Sequence, residues 1–165
     1  MTSGVESEGR RLVRDVLLRD GSTLRLRASL PSDFDDIKVF YDELSPDSRY
    51  LRFHGYGRTD RVAREAAEAT GVDRLALIGR HDGQVVAVAS YDGLREPGVA
   101  EVAFAVADEF QRRGIGMRML EQLAAIAADR AIHRFDAEVM AATGRCWACS
   151  SMLALWSGVR APVVR

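Results

Sequence analysis

Two features of this chain have residue types and spacing suited to chemistry: a carboxylate in an apolar run, and a glycine-punctuated turn a few residues later. Glu101 stands in A-E-V-A-F-A-V-A (100–107), and Gln111-Arg112-Arg113-Gly114-Ile115-Gly116 follows. Glycines lack the Cβ that would keep a ligand away from the backbone. Where such a turn opens a helix, unpaired N–H groups and the positive end of the helix dipole make a seat for phosphate or pyrophosphate. Arg112 and Arg113 add charge that suits such a ligand. The plainer reading is that Gly114 and Gly116 merely loosen a strand-to-helix connection, and short glycine motifs alone do not decide between the two. Glu101 is the candidate proton acceptor, and its plainer reading is a surface glutamate near a strand start.

The elements that must position these residues are legible. Val102, Phe104 and Val106 alternate with Glu101, Ala103 and Ala105, so the lead-in is a strand with one core face. Its other face carries a carboxylate beside small side chains, which leaves a groove. After the turn, Ile115, Met119, Leu120, Leu123, Ile126 and Ala127 fall on one side of an amphipathic helix running to about Arg130. A phosphate seat at the end of a groove that holds an acid suits a long cofactor laid across a sheet. Coenzyme A has that shape.

This strand, turn and helix resemble the central motif of the GNAT family of N-acetyltransferases, whose pyrophosphate loop reads Q/R-x-x-G-x-G/A. Within the family, R-D-G-S-T-L-R-L-R (Arg19 to Arg27) and L-S-P-D-S-R-Y-L-R-F (Leu44 to Phe53) are similar to the bacterial protein-lysine acetyltransferase branch. That branch is often fused to an acyl-CoA synthetase-like or nucleotide-sensing domain. The resemblance covers Val16 to Met140. It implies an α/β fold with a mixed, mostly antiparallel central sheet flanked by helices, and acetyl-CoA as co-substrate. It places the pantetheine arm against the backbone of Ala105, Val106 and Ala107. The pyrophosphate falls to Gln111, Arg112, Arg113, Gly114, Ile115, Gly116 and Met117.

The acceptor would be a protein lysine. An unperturbed lysine amine, with a pKa of about 10.4, is protonated near neutral pH, so acyl transfer needs a base. Glu101 matches the placement of the branch's carboxylate and is assigned that role, acting directly or through water. Asp108 and Glu109 suit it less, because they sit beside the phosphate turn. Direct attack by the amine requires no covalent enzyme intermediate, and no Ser-His or Cys-His pair is evident. Two other readings stay open: a small-molecule amine acetyltransferase, and a non-catalytic acyl-CoA-binding module or remnant of a larger fused protein.

The rest of the chain sets bounds. Its 165 residues, 47% apolar with a formal charge of −1, suffice for one domain with a real core. Near-neutral charge argues against general nucleic-acid binding, and no apolar run is long enough to span a bilayer, so the expected location is the cytoplasm. We expect a disordered tail at 1–14, the acetyltransferase domain at 15–140 and an atypical end at 141–165.

Asp20-Gly21 and Asp82-Gly83 are hairpin signals. The first joins Val16 to Leu18 with Thr23 to Arg27, and the second joins Leu75 to Ile78 with Gln84 to Tyr91. A helix is expected from Pro31 to about Leu44, capped by Ser32 or Asp33, with Phe34, Ile37, Phe40 and Tyr41 buried. A short element holding Tyr50, Leu51 and Phe53 follows. Another helix, capped by Thr59 or Asp60, runs through Ala69, and Arg134 to Met140 reads as the strand after the long helix. His54, His81 and His133 lack metal-ligand spacing, and no metal is expected.

Past Met140 the resemblance fails. The family continues with a run like N-x-P-M-L-x-L-F, a helix and two closing strands; this chain reads A-A-T-G-R-C-W-A-C-S-S-M (141–152). Our hypothesis is a one-base frame slip near Ala142. With A as the last base of the Ala142 codon, and with codons chosen among those allowed, Thr143 onward can be read one base back as N-G-P-M-L-G-L-F-E-H-A-G. Gene nucleotides that do not give that string in the shifted frame refute it. Cys146 and Cys149 form a lone C-x-x-C without the further ligands of a zinc site or a thioredoxin-like context. Met152 to Trp156 can still form a short apolar element.

Overall fold

The computed structural model describes residues 13–53 and 58–137, together with the backbone of 159–160. His54, the cysteines, Met152 to Trp156 and the proposed frame slip all lie outside them. Among the described residues, seven strands form one sheet in chain order: β1 (Arg14–Leu17), β2 (Thr23–Ala28), β3 (Arg74–His81), β4 (Gln84–Gly93), β5 (Val99–Val106), β6 (Arg134–Asp136) and β7 (Val159–Arg160). Neighbours from β1 to β5 run antiparallel, and β5, β6 and β7 run parallel. The helices are α1 (Phe34–Glu43), α2 (Pro46–Phe53), α3 (Thr59–Ala67) and α4 (Ile115–Asp129). Strand β1 opens at Arg14, a residue expected in the tail.

The antiparallel half follows from local turn chemistry. Asp82 and Gly83 both have positive φ, 47° and 83°. Positive φ at both central residues is the type I′ geometry, whose twist matches the strands it joins. A parallel pair needs a long crossover, which α4 supplies between β5 and β6.

Each face of the sheet has its own core. On one, Ile115, Met119, Leu120, Leu123, Ile126 and Ala127 of α4 pack with Leu24, Leu26, Leu75, Leu77, Tyr91, Val102 and Phe135. These helix residues are the six that recur at helical spacing in the sequence. On the other, Ile37, Phe40 and Tyr41 of α1 and Ala63, Ala66 and Ala67 of α3 cover Ala76, Ile78, Val88 and Ala105. Burying one Leu or Ile side chain contributes about 1.5–3 kcal/mol.

Three sequence expectations change. The segment expected to begin α1 starts as a 3-10 turn, Pro31–Asp33, and neither Ser32 nor Asp33 caps α1 with its side chain. Asp33 is turned back instead: its carboxylate accepts from Leu30 N–H at 2.8 Å, from both Arg27 Nη atoms at 2.7 and 2.6 Å, and from Arg80 Nη2 at 3.0 Å. Thr59 is not a cap for α3 either, because its hydroxyl donates to Asp42 at 2.6 Å and locks α3 to α1. In α2, Tyr50 and Leu51 are exposed, and Phe53 makes the edge contact with Tyr41 at 5.2 Å.

Candidate functional site

The glycine turn lies where expected, between β5 and α4. Arg112 takes φ 63° and Gly114 takes φ 84°, and Gly114 occupies the N-cap of α4. Two left-handed residues so close together reverse the chain sharply; at Gly114 this costs little because there is no Cβ. The first backbone bond of the helix runs from Arg118 N–H to Gly114 O at 3.2 Å. Among the described residues, no acceptor takes the amide hydrogens of residues 112–117. This is the unpaired first turn that an anion can fill.

Glu101 sits at the other end of β5, exposed. The register places it directly between Asp92 of β4 and Asp136 of β6. Directly paired residues share a face, so three carboxylates form one row. Two are compensated: Asp92 by Arg74, and Asp136 by Arg134 Nε at 3.1 Å. Among the described residues Glu101 has no ion-pair partner. Gly98 supports this end of the strand. Its φ is 76°, and its carbonyl accepts from His133 N–H at 2.9 Å and Arg134 N–H at 3.2 Å.

Between these ends, β5 has one side without a neighbouring strand among the described residues. Pairing with β6 covers only Val99, Ala100 and Glu101, so Val102 to Val106 have no strand beside them there among the described residues. Of the expected strand Arg134 to Met140, Arg134–Asp136 is strand and Ala137 lies beyond it, while 138–140 fall outside the described residues. The ladder decides which backbone groups face the opening. Ala107 N–H donates to Val86 O at 2.8 Å, across β4, and its carbonyl accepts from Phe110 N–H at 2.8 Å. Alternation then turns the groups of Ala105 toward β4 and those of Phe104 and Val106 toward the opening. Of Ala105, Val106 and Ala107, therefore, only Val106 presents backbone outward. Phe104, which sequence reasoning omitted, joins it. Strand alternation was the available signal, but the direction depends on which edge β4 occupies.

A second set of polar residues ties α2 to the turn. The Asp108 carboxylate accepts from Ser45 N–H at 2.9 Å, Ser45 Oγ at 2.7 Å and Ser48 Oγ at 2.6 Å. Gln111 Nε2 donates to Ser48 Oγ at 3.2 Å and to Val106 O at 3.1 Å. Partial burial opposes the charge on Asp108, but these donors outweigh it and hold the carboxyl below its ordinary value. Asp108 is thus the fastener of a helix, engaged away from proton transfer, and the Gln111 side chain points into that fastening. Arg113 is likewise engaged: its Nη1 meets Asp20 Oδ2 at 2.7 Å and its guanidinium lies 4.9 Å from the Phe110 ring centre. His81, at the end of β3, has Nδ1 3.2 Å from Thr23 O and its ring against Phe110. Among the described residues, no group of three or more His, Cys, Asp or Glu side chains is placed to hold a metal.

Strand, left-handed turn and helix stand in the order that the sequence resemblance requires, and the profile of the Acetyltransferase (GNAT) family matches residues 37–149. The chain belongs to the GNAT family. A curated relative, the acetyltransferase Pat of Mycolicibacterium smegmatis, is 31% identical over 131 residues, covering 76% of this chain and 39% of that protein. The chain therefore spans about two fifths of that relative's length. Among solved structures, the GNAT domain of S. lividans PAT superposes with a TM-score of 0.76 at 32% identity, covering 89% of this chain and 88% of that one. A cAMP-binding acyltransferase from Mycobacterium smegmatis, in its R95K mutant form, matches with a TM-score of 0.59 at 25% identity. That match covers 93% of this chain and 47% of that protein. The chain thus carries the mixed sheet and flanking helices of the GNAT fold.

Proposed function

We propose that this GNAT domain binds acetyl-CoA along the open side of β5 and transfers the acetyl group to a protein lysine, with Glu101 as general base. The observation that carries this reading is that, among the described residues, the amides at 112–117 are unfilled and the carboxylate of Glu101, at the far end of the adjoining strand, is without an ion-pair partner. Five strand steps separate Glu101 from Val106, about 17 Å at 3.3 Å per residue. That distance suits an extended pantetheine arm. The turn amides hold the diphosphate, and the outward backbone of Phe104 and Val106 pairs with the arm's amides. The likeness to the acetyltransferases named Pat supports a protein lysine as acceptor, in line with the sequence resemblance to the protein-lysine branch, and the carboxylate row favours a cationic amine.

Chemically, the ammonium form of the acceptor sheds two protons. Glu101 takes the first, which frees the nitrogen lone pair. That nitrogen bonds to the acetyl carbon as the C–S bond breaks, and the second proton leaves with the sulfur as thiol. Holding both partners on one strand makes the attack effectively intramolecular.

The test measures acetyl-CoA binding by calorimetry and acetylation of lysine-containing proteins by mass spectrometry, for wild type and Glu101→Gln. Loss of the base lowers kcat by about 10²–10⁴-fold, with acetyl-CoA affinity within about twofold because Glu101 does not touch the phosphate seat. An unchanged kcat removes Glu101 as base. Acetylation of small amines without protein lysine reverses the acceptor assignment.

A further inference from the structure

Three arginines surround the glycine turn, and their engagement differs. Arg113 is held by Asp20, whose other oxygen accepts from Ser22 N–H at 3.0 Å and Ser22 Oγ at 2.6 Å. Its charge is compensated and its direction set. Phe110, between Arg113 and His81, braces the same contact, and His81 faces Thr23 O of the hairpin. The β1–β2 hairpin is therefore fastened to the turn at two places. That fastening brings the next residue of the hairpin, Arg19, against the turn: its Nε lies 3.8 Å from where a Cβ on Gly114 would stand. Arg19 is exposed, and its guanidinium has no ion-pair or hydrogen-bond partner among the described residues. Arg112 is also exposed and unpaired among them.

Building on the acetyl-CoA reading, we propose that Arg19 binds a phosphate of the CoA moiety over Gly114, and that Arg113 is the strut that presents it. The physical reason is charge accounting within the turn. A guanidinium already satisfied by a carboxylate has less to offer a phosphate than an open one at the same rim, and among the described residues nothing engages the five donors of Arg19. The sequence resemblance assigned the pyrophosphate to residues 111–117, with Arg112 and Arg113 as the charges among them. The hairpin contact moves one of those roles to a residue more than ninety positions earlier.

Calorimetric titration of the whole chain with CoA and with dephospho-CoA tests this in wild type, Arg19→Gln, Arg19→Lys and Arg113→Gln, each with a thermal melt. Arg19→Gln weakens CoA binding about tenfold, the usual scale for one charge-assisted bond. Its melting temperature stays at the wild-type value, and Arg19→Lys recovers part of the loss. If the deficit persists with dephospho-CoA, Arg19 serves the diphosphate; if it vanishes, Arg19 serves the 3′-phosphate; both support the proposal. Arg19→Gln binding CoA like wild type overturns it, as does a larger loss in Arg113→Gln than in Arg19→Gln. Wild type failing to bind CoA refutes the acetyl-CoA reading itself, a result separable from a silent Arg19.

Discussion

Asp33→Asn offers a sharp test of how the start of α1 is anchored to the sheet. Asp33 is 4% exposed and joins the start of α1 to β2 and β3 through Arg27 and Arg80. Removing one member of a buried ion pair costs about 3–5 kcal/mol, because the partner is left charged and unpaired. Two observations set the lower end. Both arginine side chains are 20% exposed, so water recovers part of the loss, and Arg80 keeps its contact with Asp36. Asparagine also retains an oxygen for Leu30 N–H. The expected loss is about 3 kcal/mol, or roughly 6–12 °C in Tm for a domain of this size.

The pH dependence has a definite sign. Burial alone would raise the Asp33 pKa, but the Arg27, Leu30 and Arg80 donors outweigh it and hold the carboxyl below the ordinary 3.8. The native state then binds fewer protons than the unfolded one. Asp33 contributes its full stability above the unfolded value of about 3.9 and loses it as pH falls through the lower native value. Melts of both proteins by circular dichroism, from neutral pH downward, should show a gap that is constant and then closes in acid. A Tm difference under about 2 °C at neutral pH, or a gap that widens in acid, refutes the reasoning.

Other expectations are narrower. Asp108→Asn keeps one acceptor for Ser45 and Ser48 but loses the charge, so α2 loosens at a cost of about 1–2 kcal/mol; a thermal melt should show a lower Tm, and an unchanged Tm refutes the fastening. Gly98→Ala puts a Cβ 2.2 Å from the His133 ring at φ 76°, and overpacking of this kind costs about 1–3 kcal/mol. Adding His133→Ala restores only part of the melting temperature, since it removes the clash and leaves the φ strain. Gly114→Ala meets nothing closer than Arg19 Nε at 3.8 Å, so its cost is conformational, about 1–2 kcal/mol, and CoA affinity falls with it.

The elements were legible wherever local chemistry suffices. Asp20-Gly21 and Asp82-Gly83 turn where their φ freedom permits, and the six apolar positions of α4 are those the 3.6-residue period singles out. The expected caps failed because tertiary partners compete for short polar side chains. Arg27 and Arg80 claim Asp33, and Asp42 claims Thr59. Capping rules count only the donors of one helix, and these partners come from others.

The amino-acid order by itself determined the strand, turn and helix around Glu101 and Gly114, because side-chain alternation and glycine φ preference act over a few neighbouring residues. Tertiary structure alone decided the rest: which side of β5 pairs with β4, that Asp92 and Asp136 flank Glu101, that Asp108 fastens α2, and that the hairpin sets Arg19 beside Gly114 while Asp20 engages Arg113. Each of these joins residues far apart in the chain, and Coulomb forces and hydrogen bonds depend on separation in space rather than along the chain.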